Sequence, residues 1–105
     1  MFYIKNILWS IQFVPPYDDN LKKINGEYAA GACDASVNTI YINNTLKGDF
    51  LKKVICHEIT HAAMFTYNVS LSYQQEEILA DIIATYGEEI ITVINKVFKK
   101  LKERY

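Results

Sequence analysis

The sequence predicts an α+β fold, with a small three-stranded sheet packed on a buried helix and one or two further helices toward the C-terminal end. Three observations carry this expectation. Apolar runs with strand-like alternation or β-branched content, separated by turn residues, occupy the chain up to Asn43. From Asp49 onward, apolar residues recur at helical spacing. Between two such stretches, Ser72-Tyr73-Gln74-Gln75 has the pattern of a capping box, which marks a helix start.

The elements follow in order. Ile7 to Val14 places Ile7, Trp9, Ile11 and Phe13 on one side of a strand, ended by Pro15-Pro16 and the Asp18-Asp19-Asn20 loop. Leu21 to Ile24 carries no clear signal. Tyr28 to Asp34 is small and apolar and is the second expected strand. Ala35-Ser36-Val37-Asn38 is a candidate hairpin turn into Thr39-Ile40-Tyr41-Ile42-Asn43, whose β-branched and aromatic content marks the third. A helix is expected from about Asp49 to Tyr67, with Gly48 just outside it. A second begins after Ser72 and passes through Ala84. Gly87 is expected to bend or break it, because glycine costs about 1 kcal/mol in a helix interior. The helical pattern resumes from Glu88 to Glu103, with Ile90, Ile91, Ile94, Val97, Phe98 and Leu101 on an apolar face.

The chain has 105 residues, half of them hydrophobic and 22% charged, which suits one domain, 1–105, with one core. A net charge of −1 gives no sign of a nucleic-acid partner. No apolar run is long enough to span a membrane. Met1–Asn6 is not followed by an apolar run with a small-residue cleavage site. The expected setting is therefore cytoplasmic, with Cys33 and Cys56 as free thiols in small buried positions. Lys96, Lys99, Lys100, Lys102 and Arg104 crowd the last stretch. They are expected to form a solvated helix end whose cations suit the dipole. A basic patch for nucleic acid or membrane is the rival reading, and no such partner is expected.

The chemistry concentrates in His57-Glu58-Ile59-Thr60-His61, which holds both histidines of the chain. It is an H-E-x-x-H pattern, associated with zinc-dependent peptidases. On a helix, His57 and His61 lie one turn apart on the same side and can take two corners of a tetrahedral zinc site. Glu58 is turned about 100° from His57, outside the ligand set but next to a zinc-bound water, where it can act as the general base. Val54, Ile55, Ile59, Ala62, Ala63 and Phe65 make this helix apolar around most of its circumference. Two histidines and a glutamate on a buried helix are costly without a partner, and a metal supplies one.

A catalytic zinc site usually has three protein ligands and an open position. With no third histidine, the third ligand is a carboxylate or a cysteine. Glu77 is the leading candidate, with Asp81, one turn on, accepting the remaining ring N–H of a ligating histidine. Glu76 is the alternative ligand. Otherwise it is a first-turn acid favoured by the helix dipole. Glu88 and Glu89 are assigned to a solvated face.

His57-Glu58-Ile59-Thr60-His61 followed by Glu77-Ile78-Leu79-Ala80-Asp81 resembles the gluzincins, zinc peptidases with a downstream glutamate ligand. More specifically, the chain resembles short ImmA/IrrE-like metallopeptidases, often carried by phages and mobile elements. Gly31-Ala32-Cys33-Asp34 and Thr39-Ile40-Tyr41-Ile42-Asn43 are similar to the strand pair that precedes the motif helix in that group. The resemblance spans about Tyr28 to Gly87. It implies a minimal zincin-like fold, a Zn2+ cofactor and cleavage of a peptide bond, often in a regulatory protein such as a repressor. The chain departs from larger members in having no helix-turn-helix domain and no Leu-Leu-Met-Pro-like stretch after Asp81.

The expected function is thus a zinc metallopeptidase acting on a protein or peptide substrate. Zinc is held by His57, His61 and Glu77, Glu58 is the catalytic residue, and the Tyr28–Asp34 strand pairs with extended substrate. Tyr67, Tyr73 and Tyr86 are candidates for stabilising the oxyanion. The alternative is a non-catalytic zinc-binding or protein-interaction module, in which Cys33 or Cys56 closes the fourth position.

Overall fold

The computed structural model describes residues 1–104, with side chains described through Glu103. The Arg104 side chain, part of the basic cluster, lies outside the described residues. Four strands form one mixed sheet: β1 (Phe2–Ile4), β2 (Ile7–Val14), β3 (Gly31–Asp34) and β4 (Thr39–Asn43), in the order β1-β2-β4-β3. Two helices follow, α1 (Gly48–Thr66) and α2 (Tyr73–Arg104). No helix among the described residues is long and apolar enough to cross a membrane.

The expected α+β class is observed, with one strand more than the sequence predicted. β1 pairs antiparallel with β2 through the two-residue loop Lys5-Asn6, with Ile4 opposite Ile7. Its three residues are too few to show a period. Lys5 adopts φ 57, a left-handed conformation that lysine seldom signals. β2 and β4 run parallel, while β3 and β4 form the expected hairpin, turning at Asn38 with φ 48. In that turn the Asp34 carboxylate accepts from the Ser36 backbone N–H (3.0 Å) and hydroxyl (2.6 Å).

β3 is shorter than the expected Tyr28–Asp34 strand. The Ala30 carbonyl still accepts from the Asn43 N–H of β4. Tyr28 and Ala29 peel away: Tyr28 bridges Lys22, and the Ala29 N–H donates to the Leu21 carbonyl. This anchors the otherwise unreadable segment at Leu21, which closes a 3-10 turn and is fully buried. β3 forms one edge of the sheet and packs alongside α1.

Trp9, Ile40, Ile42 and Ala62 make the buried centre between sheet and α1, with Val54, Ile55 and Ile59 packed around them. The Trp9 indole N–H donates to the Thr66 hydroxyl at 3.0 Å, so its polar atom is satisfied. α1 closes in a Schellman arrangement. Asn68 takes φ 55 and donates to the Phe65 carbonyl, while Val69 donates to that of Met64. The capping box is present: Gln75 N–H donates to Ser72 Oγ (3.1 Å), and Ser72 N–H to Gln75 Oε1 (3.0 Å).

The break expected at Gly87 is absent; α2 runs unbroken through it to Arg104. One glycine weakens a helix without removing a backbone donor, and no proline follows. α2 runs antiparallel to α1, as three cross-helix pairs show: Lys52 with Glu88, His57 with Asp81, and His61 with Glu76.

Candidate metal centre

The Tyr67–Ser72 connection folds α2 back along α1, so the histidines of one helix face the acids of the other. His57 Nε2 lies 3.1 Å from His61 Nε2. The Glu77 carboxylate closes the triangle, with Oε1 at 2.7 Å from His61 Nε2 and Oε2 at 3.5 Å from His57 Nε2. His57, His61 and Glu77 thus offer three ligand atoms within 4.8 Å of one another, and they form the metal-competent group among the described residues. Neither Glu58 nor Glu76, Cys33 or Cys56 joins it.

The far nitrogens of the rings are also engaged. Asp81 Oδ1 lies 3.0 Å from His57 Nδ1, the position expected for an orienting carboxylate. Glu76 Oε1 lies 2.7 Å from His61 Nδ1 in a hydrogen bond. Glu76 is therefore neither part of the three-atom cluster nor an idle first-turn acid. With each ring proton on Nδ1, facing its carboxylate, both Nε2 atoms present lone pairs. Two imidazole lone pairs and a carboxylate then converge on one point, an arrangement that repels itself unless a cation joins it.

The spacing fits a metal. Ligands at about 2.0–2.2 Å in a tetrahedron lie roughly 3.3–3.6 Å apart. Two of the three observed separations, 3.1 and 3.5 Å, are close to that edge. The 2.7 Å contact between His61 and Glu77 is shorter and must open by about 0.6–0.9 Å to match. Among the described residues no fourth protein ligand completes the set.

Glu58 is buried on α1 and lines the same cleft. Burial pushes its carboxyl above the ordinary range; His61 and His57 pull it back, and Glu77 adds to the rise. Gly31 of β3 stands directly over it. A Cβ at that position would meet Val54 Cγ1 at 2.8 Å and Glu58 Cγ at 3.0 Å. The absent side chain lets the edge strand approach the motif helix at the site. The cleft, about 1370 Å3, has Ala29 to Cys33 along one wall and the histidines and acids along the other.

Cys33 lines this cleft as a half-buried thiol. Its pKa is pushed up to about 12, by burial first and then by the charges of Glu58, Asp34 and Glu76. Cys56, expected to face the core, instead borders a shallow recess against α2 with Lys52, Ala84 and Glu88. Of the three tyrosines singled out, Tyr73 lines the cleft, whereas Tyr67 and Tyr86 do not. Glu88, assigned to a solvated face, is exposed and bonded to Lys52 Nζ at 2.7 Å.

The chain matches no protein-family model and no curated protein.

Proposed function

We propose that this protein is a zinc-dependent peptidase with a minimal zincin-like, gluzincin-type centre. His57, His61 and Glu77 hold the metal. The observation that carries the reading is the convergence of His57 Nε2, His61 Nε2 and the Glu77 carboxylate in an open cleft, with Glu58 buried beside them. When bound, zinc supplies Lewis acidity to the scissile carbonyl and to the attacking water.

The chain's own residues do the rest. The Glu58 carboxylate takes a proton from the attacking water and passes it to the departing amine nitrogen. Asp81 and Glu76 fix the ring orientations of His57 and His61 through Nδ1. β3 is a sheet edge bordering the cleft, so an extended peptide can add to it as a further strand with its scissile bond above Glu58. Pairing through main-chain groups reads little sequence. Selectivity then comes from the folded surface of a particular protein, of which a regulatory protein is the leading case. Such a reaction belongs in a reducing, cytoplasmic setting where the two thiols stay free.

The alternative, a non-catalytic zinc-binding module, needs a closed ligand set, and neither cysteine joins the three-atom cluster. Zinc analysis is expected to give one ion per chain, lost in His61→Ala. Chelator-sensitive cleavage of a protein substrate, absent in zinc-loaded Glu58→Gln, is the expected activity. Zinc bound with no hydrolysis of unfolded proteins or of regulators from the same genetic neighbourhood would favour the binding module.

A further inference from the structure

The second half of α2 is unsupported by the rest of the molecule. Lys52, one turn into α1, pairs with Glu88, so α1 ends where the last third or so of α2 begins. A 32-residue helix is about 48 Å long, against about 28 Å for the 19 residues of α1. Every residue from Glu88 to Glu103 is exposed.

This projecting segment is nevertheless strongly apolar on one side. Ile90, Ile94, Val97 and Leu101 are 49%, 53%, 53% and 45% exposed, and follow one another at spacings of four, three and four. The same seam begins nearer the domain as Ala80, Ile83 and Gly87, where Ala80 is buried and the other two are partly covered. It is a continuous 3-4 repeat, of which only the first part is covered. Ile91 and Phe98, both 56% exposed, widen the seam on one flank.

We propose that this segment is a self-association surface, in which the projecting half of α2 pairs antiparallel with the same segment of a second copy. Two arguments select this occupant. The first is charge. Glu88 and Glu89 stand at the start of the segment, and Lys96, Lys99, Lys100 and Lys102 stand toward its end. Parallel pairing stacks lysines level with lysines. Antiparallel pairing brings Glu89 near Lys100 of the second copy on the same flank, while Ile90 meets Leu101 and Ile94 meets Val97. Ile91 then lies beside Phe98 and extends the apolar contact. Four lysines and Arg104 against Glu88, Glu89 and Glu103 leave this stretch with a net charge of +2, and its acids at one end and cations at the other suit an antiparallel copy better than a uniformly anionic membrane.

The second argument is area. Six large side chains, each about half exposed, offer roughly 500–600 Å2 per copy, or about 1000–1200 Å2 for the pair. That reaches the lower bound of specific interfaces, so the pair forms at micromolar rather than nanomolar concentrations. The metal cluster lies between α1 and the first two turns of α2, away from this segment, and remains open in the pair.

Sedimentation equilibrium of the full chain over a concentration range is expected to show a monomer–dimer equilibrium. Ile94→Glu, at a position exposed in the monomer, is expected to abolish the dimer and, at concentrations where the wild type is monomeric, to leave helicity, melting temperature and zinc content unchanged. Glu89→Lys and Lys100→Glu should each weaken pairing by roughly two- to fivefold, and the double variant should restore it. A monomer at all concentrations, a higher oligomer, or an Ile94→Glu variant that still dimerises would overturn the proposal. Failure of the double variant to restore pairing would overturn the antiparallel orientation. Binding of the monomer to phosphatidylserine vesicles, lost in Ile94→Glu, would assign the face to lipid instead.

Discussion

Gly31→Ala tests whether the close approach of β3 to α1 builds the site. The added Cβ would stand 2.8 Å from Val54 Cγ1, 3.0 Å from Glu58 Cγ and 3.3 Å from Ile42 Cδ1. Carbon atoms pack at about 3.5–4.0 Å, so the strand must retreat from the helix by roughly 0.5–1 Å. Overpacking of this kind costs about 1–3 kcal/mol. In a domain of this size that lowers the melting temperature by about 5–20 °C. Glu58 supplies one of the clashing atoms, and a misplacement of about 1 Å near reacting groups can cost about 100-fold in rate. Zinc affinity should change little, because His57, His61 and Glu77 belong to the helix pair. The measurements are thermal melts, zinc titration and hydrolysis on the same preparation. Val54→Ala removes the closest clashing methyl, so the double variant should lose less stability than the two single variants together. An unchanged melting temperature, or no coupling between Gly31 and Val54, would refute the reasoning.

Three further outcomes are expected. In the metal-free protein, burial raises the Glu58 carboxyl above its ordinary value, so the fold favours its neutral form. The stability associated with that neutral form is present below the ordinary carboxylate pKa and is lost as pH rises through it toward the folded value. With chelator present, Glu58→Gln should therefore melt above wild type at neutral pH and converge with it in acid. Glu76→Ala and Asp81→Ala should each lower zinc affinity by about 10–100-fold, and Glu77→Ala should lower it further. Glu76 should matter more than Asp81, because its contact is shorter and its side chain is 28% exposed against 69%; isothermal titration ranks the three, and a Glu76→Ala loss equal to that of Glu77→Ala would make Glu76 a ligand. Cys33, its pKa pushed up to about 12, should resist alkylation near neutral pH, read by mass spectrometry of labelled peptides. Rapid labelling of Cys33 would contradict that burial.

Long elements with a clear period were legible in the sequence. β2, β4, α1 and the start of α2 lie where alternation, β-branching and the Ser72–Gln75 capping box place them. What was not legible depended on partners distant in sequence. β1 is three residues held by pairing with β2, and the segment before β3 is diverted by bonds to Leu21 and Lys22. Gly87 misled for the opposite reason. Its local cost is real, but about 1 kcal/mol does not end a helix flanked by strong helical pattern on both sides.

At the site, the i, i+4 spacing of His57 and His61 gave their common side, and Glu77 with Asp81 was readable as a carboxylate pair one turn apart. Glu76 was harder, since an acid in a first helical turn already has a local explanation in the helix dipole. Chain direction would have separated the two roles. A connection as short as Tyr67–Ser72 forces α2 to run antiparallel to α1, so positions later on α1 must face positions earlier on α2. His57 then meets Asp81, and His61, one turn later, needs an acid about one turn before Asp81. Glu76 and Glu77 are both available there, about 100° apart around the helix. One can reach the outer nitrogen of His61 while the other turns between the two rings. The structure makes that division, with Glu76 on Nδ1 and Glu77 on the Nε2 side. Adjacent acids facing an H-E-x-x-H helix across a short connection therefore serve as a pair, one converging with the histidine nitrogens and one orienting a ring.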